Sequence, residues 1–391
     1  MNKTAIKNFA VWARQKLISG ITYEAKMLGI TENGIAKKLP QSTDDMHFYD
    51  VGTAIYAEVP KDKIKQRESL AKKIKEEETD MSSYKDAFYH VVEEIAYTWF
   101  NRLIAIRFME VNDYLPSEVR VLSSKNKAKI EPDIVTNPFD TDLEFTSSEQ
   151  DKIIQLKDDN ELDELFRMLF IKQCNKLNEI LPELFEKTDD YTELLLTISF
   201  TDKDGIVYHL VNDIDEDDFN VEKEGQIQII GWLYQYYNIE PKDKVFQNLK
   251  KNIKISKENI PAATQLFTPH WIVQYMVENS LGRIPIHNLK YGNWSDEEKT
   301  KIDSLKSKWK YYIDDAEQTD EIVKQFKFEE SNKYGKGDLP PYVGTTFLDP
   351  CMGSGHILVY AFDVFMDIYR MQGYTDREAV RSIISVSYTH L

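Results

Sequence analysis

An aspartate, two glycines and a serine fall within one short stretch where an apolar run gives way to a helical pattern. Phe347 to His356 read Phe-Leu-Asp-Pro-Cys-Met-Gly-Ser-Gly-His. Thr345, Thr346, Phe347 and Leu348 form a β-type run, and apolar residues recur at helical spacing after the loop. Strand, tight glycine loop and helix is how an α/β sheet holds the polar part of a cofactor against a helix N-terminus. Gly353 and Gly355 lack a Cβ, so a ligand can approach their backbone closely. Asp349, at the carboxyl end of the strand, can accept a hydrogen bond from an ammonium group or a hydroxyl. Leu358 stands where a dinucleotide fingerprint needs its third glycine or alanine, and no Lys-Ser/Thr follows the glycines as in a P-loop. An ordinary strand-to-helix turn is the alternative reading of these residues.

A second segment, Ala263 to Arg283, reads ATQLFTPHWIVQYMVENSLGR. Thr268 suits an N-cap and Pro269 the first helical position. Ile272, Val273, Met276, Val277 and Leu281 then mark one helix face, and Gly282 suits a C-cap. On these features alone the segment is a capped amphipathic helix.

The Asp-Pro-x-x-Gly-Ser-Gly loop resembles the first motif of S-adenosylmethionine-dependent amino-methyltransferases acting on DNA. The Phe-Thr-Pro of Phe267 to Pro269 resembles their tenth motif, which closes over the methionine end of the cofactor. Tenth before first looks like the gamma arrangement of adenine-N6 enzymes, including type I modification subunits. Four blocks narrow the likeness: YTWFNRLIAIRFMEVNDYL (Tyr97 to Leu115), QIIGWLYQYYN (Gln228 to Asn238), KNIKISKENIPAATQLFTP (Lys251 to Pro269) and FLDPCMGSGHILVYAFDV (Phe347 to Val364). In this order they resemble the adenine-specific methyltransferase of bacteriophage-exclusion (BREX) systems, the PglX family, from about residue 85 to 380. The first eighty residues match only as a helical start.

The resemblance implies a mostly α-helical N-terminal region followed by the start of an α/β Rossmann-like S-adenosylmethionine-dependent methyltransferase domain, truncated here. It implies S-adenosylmethionine as cofactor, held by Asp349, Pro350, Gly353, Ser354 and Gly355, with Phe267, Thr268 and Pro269 closing over it. It implies site-specific adenine-N6 methylation that marks host DNA as self. The implied partners are double-stranded DNA, bound mainly by a part outside this chain, and other phage-defence proteins. Members hold the flipped adenine amine with an Asn/Asp-Pro-Pro-Tyr/Phe motif. None occurs here: Pro340 and Pro341 are the only consecutive prolines and precede the first motif. No catalytic residue is therefore assigned, and the chain alone is expected to be inactive. Ser385 to Leu391 resemble a translated sequencing-adapter read-through, so the last six or so residues are expected to be non-native. They offer no acidic residue for the ribose hydroxyls.

The whole composition bounds these readings. The chain has 391 residues, 42% hydrophobic and 29% charged, enough for two or three domains. No stretch of eighteen apolar residues and no signal-peptide core occurs, so a cytoplasmic protein without membrane contact is expected. Cys174 and Cys351 lie far apart, which fits a reducing compartment and no disulfide or zinc site. The histidines His47, His90, His209, His270 and His287 have no metal-ligand spacing with either cysteine. An EF-hand loop starting at Asp213 would need glycine where Asp218 stands, and no metal site is expected. A net charge of −17 argues against this segment alone being a DNA surface, because duplex DNA is bound through Lys and Arg. That acidity keeps a second function open: a non-catalytic helical scaffold or binding module with a vestigial nucleotide fold.

Elements can be placed coarsely. Residues 1–120 read as a helical N-terminal region, 121–255 as a helical region of possibly the same domain, and 256–391 as the start of the catalytic domain. Residues 62–78 read as a solvated helix, and 116–150 as loop. Tyr84 to Asn112 read as a buried bundle helix whose polar members, Trp99, Asn101, Arg102, Arg107 and Glu110, are tied to neighbours. The aromatic run Gly231 to Tyr237 reads as a core or interdomain seam before a base-stacking platform, since its flanks are acidic. Trp294 to Glu330 reads as one or two surface helices. The glycine-loop helix can stop at Gly373, with another starting near Thr375.

Overall fold

Ile6, Phe9, Ala10, Ala13, Leu17, Ile21 and Ala25 recur every three or four residues, and all are buried along one face of helix α1 (Lys3–Met27). The computed structural model describes residues 1–52, 56–182, 184–185, 190–223, 228–256, 259–264, 267–332, 345–350, 352–353 and 355–387. The chain divides into two units, Met1–Gln265 and Leu266–Leu391.

In the first unit α1 leads to two small antiparallel hairpins, β1 (Ile30–Thr31) with β2 (Gly34–Ile35), and β3 (Met46–Asp50) with β4 (Tyr56–Pro60). Helices α2 (Lys61–Glu78) and α3 (Tyr84–Val111) follow. Next come the short α4 (Asp133–Thr136), then α5 (Ser147–Asp158), α6 (Leu162–Leu177), α7 (Asp190–Leu194) and α8 (Ile206–Asn212). The unit ends with α9 (Glu216–Phe219), α10 (Gln228–Tyr237), α11 (Ile239–Lys250) and α12 (Ile260–Thr264).

Every residue of α3 from Arg102 to Phe108 is buried, so this helix is enclosed on all sides and forms the centre of the unit. Helices α1, α2 and α10 pack on or beside it. Trp99 donates its indole N–H to the Thr192 carbonyl at 3.1 Å, as a buried indole must find an acceptor. The aromatic run of α10 is a seam within this unit: Tyr237 lies 4.4 Å from Phe100 and 5.6 Å from Tyr97 between ring centroids. Residues from both the 1–120 and 121–255 regions contribute to one continuous core. Helix α2 corrects the solvated-helix expectation, because Arg67, Leu70 and Ile74 are buried on one of its faces. Arg67 donates to the carbonyls of Leu28 and Ala36, which reconciles its charge with burial.

The second unit holds α13 (His270–Glu278), α14 (Arg283–Tyr291), α15 (Asp296–Lys299), α16 (Lys301–Lys308), α17 (Asp320–Asn332), α18 (His356–Met371) and α19 (Asp376–Ser382). Its core joins Val273, Val277 and Leu281 to Ala361, Val364, Phe365 and Ile368. The charged stretch from Trp294 is three helices and not only surface, since Leu305 and Trp309 enter this core. Gly373 adopts φ 84° after α18, and Thr375 caps α19 in a capping box with Glu378. Residues 333–344, including Pro340 and Pro341, lie outside the described residues.

The strand expected over Thr345 to Leu348 is reduced to one bridged residue, Phe347, among the described residues. A strand of a parallel sheet exists only through its neighbours, and the named strands all belong to the hairpins of the first unit. The α-helical part of the expected fold is present, and no helix is long and apolar enough to cross a membrane.

Candidate functional site

The glycine loop needs glycine for its conformation. Gly353 has φ 56° and Gly355 φ 75°, both in the left-handed region where a Cβ is strained. A Cβ on Gly355 would come no closer than 3.9 Å to Met352, so the demand is conformational and not steric crowding. Gly355 donates to the Met352 carbonyl at 2.9 Å and its own carbonyl accepts from Val359, which starts the 16-residue helix α18. The first N–H groups of such a helix have no intrahelical acceptor and carry the positive end of its dipole. Met352 and Gly353 are exposed, Pro350 is an exposed turn residue, and Asp349 is partly buried with its Oδ2 shielded from solvent. Ser354 and Cys351 lie outside the described residues.

The Phe267 to Pro269 turn meets the residue that follows this loop. The buried Phe267 ring stacks on His356, with centroids 4.6 Å apart and planes 12° from parallel. The Thr268 backbone stands beside the same imidazole and favours its protonation. His270 Nδ1 and His356 Nε2 are 3.2 Å apart, joining positions 86 residues distant in the chain. The two motifs thus share one location.

Below this contact, α13 and α18 are tied by polar groups at one-turn spacing. His270 meets Tyr360 edge-on at 5.6 Å, and the Tyr360 hydroxyl donates to Glu278 Oε1 at 2.6 Å. The other Glu278 oxygen accepts from the Tyr311 backbone N–H at 2.6 Å, so this fully buried carboxylate is satisfied at both ends. Burial, and then the neighbouring Glu278, push the Tyr360 hydroxyl well above its ordinary range.

Burial and the neighbouring His270 hold the His356 imidazole down to about 4, against the nearby Thr268 backbone, which favours its protonation. Burial also lowers His270. Both rings are neutral at neutral pH, one donating and the other accepting in their shared bond. A sign follows for stability. An unfolded His356 takes up a proton near pH 6.5 while the folded ring resists, so stability is full above that pH and falls as pH drops toward 4. Urea denaturation at about pH 7 and about pH 5 should show wild type losing on the order of 2 kcal/mol more than His356→Phe. Equal losses would remove the assignment of this pH dependence to the ring.

Three details of the helix expectation are corrected. Thr268 is not the N-cap, because α13 begins at His270 and Pro269 stands at the cap with φ −54° and ψ 138°. A residue preceding proline is driven out of the helical region, which keeps Thr268 outside the helix. Gly282 is not the C-cap, which is Asn279. It serves close packing instead: a Cβ there would meet the Trp309 ring at 2.9 Å. Met276, expected in the buried stripe, is 47% exposed.

Sequence reasoning missed His356, His270, Tyr360 and Glu278 as parts of this location. A signal was present, since 270, 274 and 278 and again 356 and 360 place polar residues every fourth position on their helices. Among the described residues one group of metal-ligand type exists, Glu77, His90 and Glu94. The Lys73 ammonium lies 2.8 Å from Glu77 and 3.6 Å from Glu94, so the cluster is an ion-pair network on the surface of the first unit. Cys174 is buried, and burial lifts its thiol to about 12, which makes it inert.

No family model matches the chain. It is 46% identical over 392 residues to the adenine-specific methyltransferase PglX of Lacticaseibacillus casei (strain Zhang), covering 98% of this chain and 30% of that protein. It is 35% identical over 389 residues to the adenine-specific methyltransferase BrxX of Escherichia coli O9:H4 (strain HS), covering 98% of this chain and 29% of that protein. The chain belongs to the PglX family. It spans about 30% of the length of the curated relatives it matches. The glycine loop and the Phe-Thr-Pro turn therefore sit in a chain that aligns with these relatives over nearly its whole length.

Proposed function

We propose that this chain carries the opening of the cofactor site of a site-specific adenine-N6 DNA methyltransferase of a BREX phage-defence system. The reading rests on one observation above others: the Phe267–Pro269 turn and the glycine loop meet at His356. The relatives' printed names, adenine-specific methyltransferase, give the reaction class. Glu278, Tyr360 and the two imidazoles are the groups that hold α13 against α18 so that this meeting persists.

The residues fit S-adenosylmethionine. The open backbone at Gly353 and the first turn of the long helix that follows Gly355 can receive a carboxylate, and Asp349 offers an acceptor to an ammonium. Pro350 belongs to the loop, and Phe267, Thr268 and Pro269 flank it; Ser354 is proposed for the same site on its place in the motif. The imidazoles are neutral at neutral pH, so they set no positive charge against a sulfonium. When bound, the cofactor supplies an electrophilic methyl group on that sulfonium. The chain's own part is to bind and orient: the loop fixes the amino-acid end, and the aromatic turn excludes water beside it. In this reading Phe347 lies on the first strand of a Rossmann-like sheet completed by other segments of a longer protein. Residues from 256 onward then begin the catalytic domain. Double-stranded DNA and other defence-system proteins would be the partners, in the cytoplasm.

Two preparations test the proposal: this chain, and a protein of the relatives' full length that contains it. Each is incubated with labelled S-adenosylmethionine and bacteriophage DNA. The longer protein should label adenine at N6. The chain alone should bind the cofactor weakly and transfer nothing, because it has no Asn/Asp-Pro-Pro-Tyr/Phe motif. Failure of both to bind the cofactor would leave the scaffold reading in its place, and labelling by the chain alone would reveal a catalytic group within these residues.

A further inference from the structure

The first unit contains a cavity of about 430 Å³ that the methyl-transfer reading does not use. Its volume lies within the range of small-molecule pockets, roughly 300–1,000 Å³. Arg107 lines it, although its side chain is only 1% exposed. The guanidinium is unevenly satisfied. Nη1 donates to Glu110 at 2.7 Å and to Ser123 at 2.9 Å. Nη2 reaches Glu216 only at 3.4 Å, and Arg120 already binds the same carboxylate oxygen at 2.7 Å. Nε is buried and has no hydrogen-bond partner among the described residues. A buried guanidinium edge left this way is costly unless something binds it.

The rest of the lining indicates what that would be. Lys127 and Lys129 are exposed residues at the cavity, and Asp215 and Glu216 line it too. Burial pushes the Glu216 carboxyl up, but Arg120, Arg107 and Lys127 more than offset this and hold it ionised. Counting Arg120 and Glu110 just behind, four cations face three carboxylates in a chain whose net charge is −17. Leu122, Val207 and Val211 supply apolar wall, and Tyr208 a ring. We infer that this cavity binds a small organic phosphate with a flat apolar body, of the class of a nucleoside monophosphate. The Nε–Nη2 edge of Arg107 would take the phosphate as a fork, the lysines would add charge at the mouth, and the body would lie against the apolar wall.

Calorimetric titration of the purified chain with adenosine 5′-monophosphate, inorganic phosphate and adenosine tests this. The monophosphate should bind saturably, and phosphate or adenosine alone at least about tenfold more weakly, since each has half of the recognised features. Two variants keep the buried Arg107 network intact. Lys127→Ala/Lys129→Ala removes the mouth charges, and Val211→Trp fills the cavity. Each should weaken the monophosphate by at least about tenfold with unchanged helicity. Binding of an adenine nucleotide in the second unit would be indifferent to both variants. No saturable binding up to about millimolar monophosphate would overturn the inference. So would equal binding of bare phosphate or adenosine, or affinity unchanged in either variant.

Discussion

Glu110→Ala should destabilise the first unit by about 3–5 kcal/mol, a large part of the stability of a typical domain. The Glu110 side chain has no exposure and serves four donors. Its Oε1 accepts from Arg107 Nη1 at 2.7 Å and Ser123 Oγ at 2.9 Å. Its Oε2 accepts from the backbone N–H groups of Val121 and Leu122, both at 2.8 Å. Alanine would strand the buried Arg107 charge and leave two buried backbone donors without partners, which is why the expected loss far exceeds that of a surface ion pair. The sign of the coupling is also fixed. Glu110→Ala/Arg107→Met removes both charges, so it should be less destabilised than Glu110→Ala alone, because much of the single loss is an uncompensated cation. Urea denaturation of the wild type, both singles and the double closes the cycle. A single-variant loss under about 1 kcal/mol, or additive losses in the double, would show that the pair is not the buried anchor described.

That anchor illustrates what was readable beforehand. The span of α3 follows from the helical recurrence of its apolar residues, and Arg107 and Glu110 were expected to be tied to neighbours because a buried charge has no other option. The ends around Gly373 and Thr375 were readable because caps are local chemistry. Thr268 was misplaced by the same local logic: it has the right type for an N-cap, but the proline after it and the imidazole facing it decide otherwise. Polar spacing marks His356 as a position but not its role, since what makes it a junction comes from Phe267 and His270, residues over eighty positions away. The strand at Phe347 failed to extend for a related reason. Pairing belongs to two segments at once, and a propensity read along one cannot supply the other. The solvated-helix reading of α2 erred because Arg67 hides its charge in the carbonyls of Leu28 and Ala36, contacts that no charge count along the chain reveals.

On the proposed function, Asp349→Ala in a protein of the relatives' full length should abolish methyl transfer and weaken S-adenosylmethionine about ten- to a hundredfold, equivalent to about 1.5–3 kcal/mol for a charge-assisted hydrogen bond. Asp349 stands just ahead of the left-handed glycines, partly buried, and contributes no apolar surface to the core of the second unit. Its removal should therefore shift the melting temperature little. The competing account is that the carboxylate only braces the turn that follows it. Under that account the substitution would depress the melting point and leave cofactor affinity near wild type. Titration calorimetry with S-adenosylmethionine, run beside a melting curve on the same preparations, separates the two because they predict opposite pairings of the same two readouts. Asp349→Asn sharpens the test. It keeps a hydrogen-bond acceptor able to brace a turn but loses the charge that an ammonium requires, so it should rescue the melting point of a bracing residue and fail to rescue the affinity of a binding one.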